Sequence, residues 1–221
     1  MRLAIFDVDG TLVRGSSERL FWRYLAARGR QGPRQIAAFL LLMLRYSPTG
    51  GSQLKKNKAY LCGLETADVA ALADEFVATR LMHRLDNAVV QRLRQHVLHG
   101  DTVVLLTGTI DPIAQALARR LGVRHVYATL CSERNGRYLA QPPETHPFGA
   151  AKLALSRELA AQIGSELRTA TAYGDSRYDV YLLEAVNEAV AVSPDAALLA
   201  AALARDWEII ADGDARRALP H

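Results

Sequence analysis

Residues 3–15 read LAIFDVDGTLVRG, and this stretch decides the fold. A short apolar run over residues 2–6 ends in Asp7 and Asp9, which are separated by one valine. A brief apolar run that stops at Asp and Gly is typical of a buried strand. Two carboxylates held close together repel each other, so their position at the end of a strand predicts a functional site.

A long helical stretch follows this first strand. Ser16 or Ser17 can cap a helix that runs to Arg28, and Pro33 can open a second one. We predict further helices over residues 53–62, 66–85 and 86–99, with a loop at SPTGGS, residues 47–52. Such an insertion is longer than a simple crossover needs. We therefore expect a helical cap domain over residues 15–89 and a catalytic core formed by residues 1–14 and 90–221.

After Gly100 the pattern changes to strands that alternate with helices. The predicted strands cover residues 102–106, 124–129, 168–173, 189–192 and 207–210, and Asn135-Gly136 predicts a small hairpin. Alternation of this kind is typical of a parallel sheet with helices packed on it. The fold class is therefore expected to be α/β.

Composition and charge exclude several functional classes. The chain has 221 residues, with 27 Lys and Arg against 23 Asp and Glu, a net charge of +4. The basic residues are scattered, and the tightest cluster, LKKNK at residues 54–58, is short and lacks aromatic neighbours. We therefore expect no nucleic-acid partner.

Cysteine content and hydropathy predict the cellular compartment. Cys62 and Cys131 are the only cysteines and are widely spaced, which indicates neither a disulfide framework nor a zinc site. Two free thiols suit a reducing compartment, and no apolar run reaches about 18 residues or resembles a signal peptide. We expect a cytoplasmic protein.

The carboxyl ends of the predicted strands carry the polar residues. In an open parallel sheet these ends meet in one crevice where ligands bind. The residues delivered there are Asp7, Asp9, Gly10, Thr11, Thr107, Gly108, Gly174, Asp175 and Asp179, with Lys152 at the start of a later helix. Several carboxylates in one crevice need neutralising cations, and Mg²⁺ prefers such hard oxygen ligands.

These motifs carry a family resemblance. DVDGT at residues 7–11, LLTGT at 105–109, Lys152 and YGDSRYD at 173–179 resemble the four ordered motifs of the haloacid dehalogenase superfamily of phosphohydrolases. The helical insertion after the first motif is similar to the cap of its phosphoserine-phosphatase-like branch. The resemblance implies a Rossmann-like, three-layer core with a parallel central sheet and an inserted α-helical cap.

The same resemblance implies a role for each motif. Asp7 would attack phosphorus and form an aspartyl-phosphate, and Asp9 would act as general acid and then as general base. Mg²⁺ would be held by Asp7, the main-chain carbonyl of Asp9, and Asp175. The remaining assignments are phosphate binding by Thr11, Thr107, the Gly108 amide and Lys152; orientation of Lys152 or a water at the metal by Asp179; and backbone support by Gly10 and Gly174.

Fewer residues of the sequence indicate the substrate. Phosphoserine phosphatases carry a glutamate where this chain has Ser16, and Glu18 falls two residues later. Lys58 can replace the cap arginine that binds the substrate carboxylate in those enzymes. An ammonium group is a point charge, however, and cannot form the two parallel hydrogen bonds that a guanidinium makes with a carboxylate. Ser16 and Lys58 are therefore the candidate substrate contacts, and a ligand other than phosphoserine is favoured.

The apolar segment at residues 36–46 is expected to be a cap helix buried on all sides. The alternative is a lipid-facing or partner-facing role for this helix, which would suit a hydrophobic phosphate ester. A monomer and a homodimer both remain open.

The functional prediction is a Mg²⁺-dependent phosphatase that hydrolyses a small-molecule phosphomonoester. The alternatives are a phosphotransferase that uses the same aspartyl-phosphate and a non-catalytic binding module of the same fold. The second would predict a broken motif, and none is broken. A dehalogenase is disfavoured because attack at carbon needs neither the acid at Asp9 nor the metal motif.

Overall fold

The computed structural model describes residues 2–46 and 54–211. Six strands form its central sheet, and every neighbouring pair is parallel. They are β1 (Leu3–Phe6), β2 (Thr102–Ile110), β3 (His125–Thr129), β6 (Thr171–Gly174), β7 (Glu188–Val192) and β8 (Glu208–Ile210), in the order β3-β2-β1-β6-β7-β8. The first strand of the chain therefore lies inside the sheet, between β2 and β6.

Strand β1 is short, apolar and buried along its whole length. Its last residue, Phe6, pairs with Leu105 of β2 on one side and with Tyr173 of β6 on the other. A strand with both faces covered reads as a continuous apolar run, as seen here. Because the three strands run parallel, the polar residues after each of them meet at one edge.

Eight α-helices are present in the described part of the chain. They are α1 (Ser17–Ala27), α2 (Pro33–Tyr46), α3 (Thr66–Phe76), α4 (Asn87–Leu98), α5 (Asp111–Leu121), α6 (Ala150–Gln162), α7 (Val180–Leu183) and α8 (Ala196–Ala204). Shorter helical turns cover Ala59–Leu61, Val77–Leu81, Met82–Arg84 and Leu167–Thr169. The hairpin at Asn135-Gly136 is confirmed, with β4 (Glu133–Arg134) antiparallel to β5 (Arg137–Tyr138).

Two apolar clusters cover the two faces of the sheet. Phe6 belongs to a cluster that includes Val89 of α4 and Leu117 of α5. Ile5, one residue earlier, belongs to a cluster with Leu159 of α6 and other residues from α7 and α8. Successive side chains of a strand point to opposite faces, so one strand serves both clusters. The predicted three-layer α/β architecture is confirmed.

The prediction of a helix over residues 53–62 is wrong for its described part. Only the three-residue turn Ala59–Leu61 is helical between Asn57 and Cys62. The Asn57 side chain accepts from the amide of Ala59 (3.1 Å) and donates to the carbonyl of Phe39 (2.9 Å). A side chain that bonds to nearby backbone competes with helix formation. The loop predicted over residues 47–52 lies outside the described residues.

The helix predicted over residues 66–85 changes type partway. It is α-helical to Phe76, forms a π-helical turn over Val77–Leu81 and then a 3₁₀ turn over Met82–Arg84. The next residue, Leu85, is extended and forms an antiparallel bridge with Val13. The chain therefore leaves its helix to pair with the loop that follows β1.

The expectation that the helix over residues 36–46 is buried on all sides is wrong. Among residues 33–45 of α2, whose burial is described, only Leu42 is buried, whereas Leu41 and Leu44 are 69% and 66% exposed. The helix packs on the turn Ala59–Leu61 with one face and leaves the other uncovered in the described part of the chain. None of the described helices is both long enough and apolar enough to cross a membrane.

Candidate active site

A pocket of about 610 Å³ lies at the carboxyl ends of β1, β2 and β6. One wall comes from the strand ends and from α6, and the opposite wall comes from the helical stretch between β1 and β2. The core wall includes Asp7, Asp9, Gly10, Thr107, Gly108, Lys152, Asp175 and Asp179, and the helical wall includes Ser16, Glu18, Trp22, Phe39, Lys58 and Tyr60. Most of the predicted site residues are thus brought together.

Lys152 is the centre of a buried charge cluster. Its Nζ lies 3.0 Å from Oδ1 of Asp7 and 2.6 Å from Oδ1 of Asp179, and all three side chains are nearly inaccessible. The other oxygen of Asp179 accepts from the amide (3.2 Å) and hydroxyl (3.0 Å) of Ser176. Burial opposes the charge of Lys152, but the two carboxylates more than compensate and raise its pKa. The lysine is therefore a fixed cation beside Asp7.

Three carboxylates lie within reach of one cation. Oxygens of Asp7, Asp175 and Asp179 all lie within 4.8 Å of one another. Burial raises the pKa of Asp7, and Lys152 counteracts this only in part. Burial also raises the pKa of Asp175, and the charge of Asp7 adds to the rise. Hard oxygen donors that are short of positive charge fit Mg²⁺.

Gly10 makes this cluster possible. A Cβ at this position would lie 2.1 Å from Oδ2 of Asp175, and the residue has a φ of +84°, which suits glycine. Gly174 is similarly tight, since its Cβ would lie 2.6 Å from that of Asp179. Both glycines let the backbone approach the carboxylates closely. Their supporting role in the site stays a prediction.

Asp9 turns its side chain away from the other carboxylates. Its Oδ1 accepts from the amide of Ser17 (2.9 Å), the first residue of α1, and its Oδ2 accepts from the hydroxyl of Ser16 (3.3 Å). Burial raises the pKa of Asp9 despite these hydrogen bonds. The carboxyl is therefore suited to carry a proton, and only the main-chain carbonyl of Asp9 remains as a candidate metal ligand. Ser16 also caps α1 by accepting from the amide of Arg19.

The carboxyl-terminal part of β2 is held by two residues, Thr129 and His146, that the sequence analysis does not identify. The carbonyl of Gly108 accepts from the hydroxyl of Thr129 (2.7 Å), and that hydroxyl lies 2.8 Å from Nδ1 of His146. The Thr129 hydroxyl directs its hydrogen to the Gly108 carbonyl. In the second bond the hydroxyl oxygen must therefore accept, and Nδ1 of His146 is the donor. The peptide between Gly108 and Thr109 is thus fixed in orientation, and its amide donates to the Thr107 hydroxyl (3.2 Å). Thr107 also lines the pocket.

His146 also lines the pocket as a neutral imidazole. Burial, together with the nearby charges of Lys58, Lys56, Lys55 and Lys152, lowers its pKa to about 3. Its Nε2 is buried and has no hydrogen-bond partner within the described residues. The surrounding HPFGA segment matches no motif, so the sequence alone held no signal for this role.

Lys58 and Glu18 form an ion pair on the helical wall of the pocket. Their side chains are 5% and 19% exposed. Burial raises the pKa of Glu18, whereas Lys58 lowers it. Burial likewise raises the pKa of the neighbouring Tyr60, and the charge of Glu18 adds to it. The predicted contact Lys58 thus reaches the pocket together with Glu18.

Thr11 is a predicted phosphate-binding residue that the structure does not bring to the pocket wall, and the predicted supporting residue Gly174 does not line the pocket either. It is 1% exposed, and its buried hydroxyl has no hydrogen-bond partner among the residues described. Its amide donates to the carbonyl of Val8 (3.3 Å). Thr11 therefore lies beneath the loop that carries Asp9 and Gly10.

The profile of the haloacid dehalogenase-like hydrolases matches residues 4–184 of this chain. A phosphoserine phosphatase of Mycobacterium tuberculosis is 33% identical over 213 residues, which cover 93% of this chain and 69% of the relative. A histidinol-phosphatase of Neisseria meningitidis is 26% identical over 94% of this chain and 97% of the relative.

Among solved structures, a protein of unknown function from Bordetella pertussis superposes with a TM-score of 0.81. It is 30% identical, and the match covers 95% of this chain and 97% of that one. The whole architecture, including the helical stretch between β1 and β2, is therefore shared with a protein of about the same length.

Proposed function

Because the chain belongs to the haloacid dehalogenase-like hydrolases, we propose that it is a Mg²⁺-dependent phosphatase acting on a small-molecule phosphomonoester. One observation carries this proposal: Asp7 lies 3.0 Å from a buried lysine, beside two more carboxylates, at the mouth of a pocket. This arrangement suits a nucleophile that must approach a phosphate dianion.

Asp7 attacks phosphorus and forms an aspartyl-phosphate as the ester P–O bond breaks. Asp9 gives its proton to the departing alkoxide and then takes one from the water that attacks the intermediate. Hydrolysis breaks the new P–O bond, releases phosphate and restores both carboxyl groups. The raised pKa of Asp9 supports the first of its two proton transfers.

The phosphoryl oxygens meet Thr107, the amide of Gly108 and Lys152. Thr129 acts next to the second contact, because its bond to the Gly108 carbonyl fixes the peptide that follows this amide. Asp7, the main-chain carbonyl of Asp9 and Asp175 would hold Mg²⁺, which would supply positive charge at the reacting phosphate. Asp179 holds Lys152 in place.

Residues 15–89 act as the cap that covers the leaving group, and residues 1–14 and 90–221 form the catalytic core. The cap wall offers the Glu18–Lys58 pair beside the aromatic side chains of Trp22 and Phe39. These groups suit a leaving group with a charged polar end and an apolar part.

The test is phosphate release from a panel of phosphomonoesters with and without Mg²⁺. The panel contains phosphoserine, histidinol phosphate and p-nitrophenyl phosphate. We expect turnover that needs Mg²⁺ and is lost in Asp7→Asn. Asp101→Asn is the matched control, because Asp101 is a largely buried carboxylate that pairs with His96 away from the pocket.

Turnover without metal, or full activity in Asp7→Asn, would contradict the proposal. Adding an acceptor alcohol separates hydrolysis from transfer. A phosphatase releases inorganic phosphate in proportion to the alcohol formed, whereas a phosphotransferase accumulates a new phosphate ester.

A further inference from the structure

The outer face of α2 is an apolar surface on the cap that none of the described residues covers. At about 100° per residue, Ile36, Ala37, Leu40, Leu41 and Leu44 fall within one stripe about 140° wide. The leucines and the isoleucine of this stripe are 46–69% exposed. Four large apolar side chains on one helix face make a contiguous patch, and patches of this kind mark interaction sites.

The charged residues of α2 itself are of one sign. The helix carries Arg34 and Arg45 and no Asp or Glu. Arg34 and Arg45 fall on the edge of the stripe, at opposite ends of α2, and neither forms an ion pair with a described residue. The patch is therefore apolar with a cationic margin.

We propose that the outer face of α2 docks on an anionic lipid surface. A basic amphipathic helix binds a bilayer by burying its apolar face while its cations meet the headgroups. A second copy of this chain would bring the same cations face to face, which disfavours self-association through this patch. Nucleic acid would match the charge but would leave the leucines exposed.

The geometry of α2 fits a helix that lies on the surface. Its fourteen residues span about 21 Å, less than the roughly 30 Å hydrocarbon core of a bilayer. Its inner side chain Phe39 lines the active-site pocket, as does Leu54 beyond it. Docking would therefore place the pocket beside the headgroup region. The proposal concerns a surface outside the reacting groups and holds independently of the phosphatase activity.

The experiment is co-sedimentation of the full chain with vesicles. We expect binding to mixed vesicles of phosphatidylcholine and phosphatidylglycerol, and weaker binding as salt increases or when phosphatidylglycerol is left out. The double variant Leu41→Gln/Leu44→Gln should bind at least about tenfold more weakly, because the apolar area buried in the bilayer is lost. Arg45→Gln should weaken binding about fivefold, since one cation contributes about 1 kcal/mol at an anionic surface.

Matched controls are Leu98→Gln and Arg94→Gln, which change an exposed leucine and an exposed arginine on α4. Both should bind like the wild type. Circular dichroism and turnover of p-nitrophenyl phosphate show that each variant is folded. The proposal is overturned if the wild type fails to bind the mixed vesicles or if the α2 variants bind as well as the controls. It is also overturned if sedimentation shows a dimer that the α2 variants abolish.

Discussion

At the scale of single residues, Gly10 shows how tightly the site is built. Its backbone approaches Asp175 so closely that no side chain fits between them. The sequence showed the glycine in a motif but could not show what it faces, because Asp175 comes from a strand far along the chain. The close approach keeps Asp175 near Asp7.

We predict that Gly10→Ala abolishes Mg²⁺-dependent turnover, because the new Cβ would push Asp175 aside. Gly100→Ala is the control, since Gly100 has a φ of +76° with nothing within 4 Å of an added Cβ. Both variants should lose about 1 kcal/mol for the unfavourable φ. Equal phosphatase activity in the two variants would contradict this account.

His146 makes a prediction about pH. The folded state keeps this imidazole neutral, with a pKa of about 3, while the unfolded chain takes up a proton below about pH 6.5. The folded pKa is depressed, so stability falls as pH drops from about 6.5 towards 3.

Urea unfolding should show that the wild type loses about 1–2 kcal/mol more than His146→Gln between about pH 7 and pH 5. The variant has no group that titrates at this position, so it corrects for the carboxylates elsewhere. Equal losses of unfolding free energy in the wild type and in His146→Gln would show that His146 is protonated in the folded state.

At the scale of elements, the carboxylate of Asp9, which we propose as the acid, also holds the start of α1. The Ser17 amide that it accepts is one of the free donors at a helix N-terminus. A strand-end motif and a cap helix are thus joined by one side chain. The active-site loop and the cap are therefore coupled.

Asp9→Asn should separate these two roles. An amide oxygen can still accept from Ser17, so thermal stability should change by less than about 0.5 kcal/mol. Turnover should fall at least about 100-fold, because the proton donor is lost. Asp9→Ala should lose turnover and about 1 kcal/mol of stability as well. Melting curves and phosphate release together distinguish the outcomes, and an active Asp9→Asn would refute the acid–base role.

The elements of the core were predictable from sequence for a physical reason. Short apolar runs ended by Asp or Gly become buried parallel strands, so every predicted strand is present within a few residues. Strand β2 runs four residues further than predicted, because the Thr107-Gly108 motif is itself part of the strand. The hairpin followed from the turn chemistry of Asn135-Gly136.

The helical stretch was less predictable. Periodicity indicates that α2 is apolar, but only the tertiary structure shows which face is covered, so its burial was misjudged. The turn at residues 57–61 depends on a hydrogen bond from Asn57 to the distant Phe39 carbonyl. His146 and Thr129 were missed because their role comes from Gly108, on another strand.

At the scale of the whole molecule, the buried carboxylates of the site lower the stability of the folded protein. Burial and mutual repulsion raise the pKa of both Asp7 and Asp175. Ionised carboxylates in these positions are unfavourable until a cation joins them. The metal-free protein is therefore less stable than its core alone would allow.

We predict that Asp175→Asn raises the melting temperature of the metal-free protein by about 2–4 °C, as expected for about 1 kcal/mol in a domain of this size. Mg²⁺ at 100 times its Kd should stabilise the wild type by about 2.7 kcal/mol and the variant far less. Calorimetry with Mg²⁺ and with EDTA checks both effects. An equal response to Mg²⁺ in the two proteins would remove Asp175 from the ligand set.

The place of β1 in the sheet has a consequence for the order in which the molecule is made. Leu3 is synthesised long before its sheet neighbour Thr102, and Ala4 long before Thr171. Strand β1 must therefore wait, unpaired, until the helices between β1 and β2 and then β2 itself have left the ribosome, and its other edge waits for β6. Pairing over such separations slows folding. A nascent chain that ends before Asp179 has no complete charge cluster, so this cluster assembles only after all three of its residues have been made.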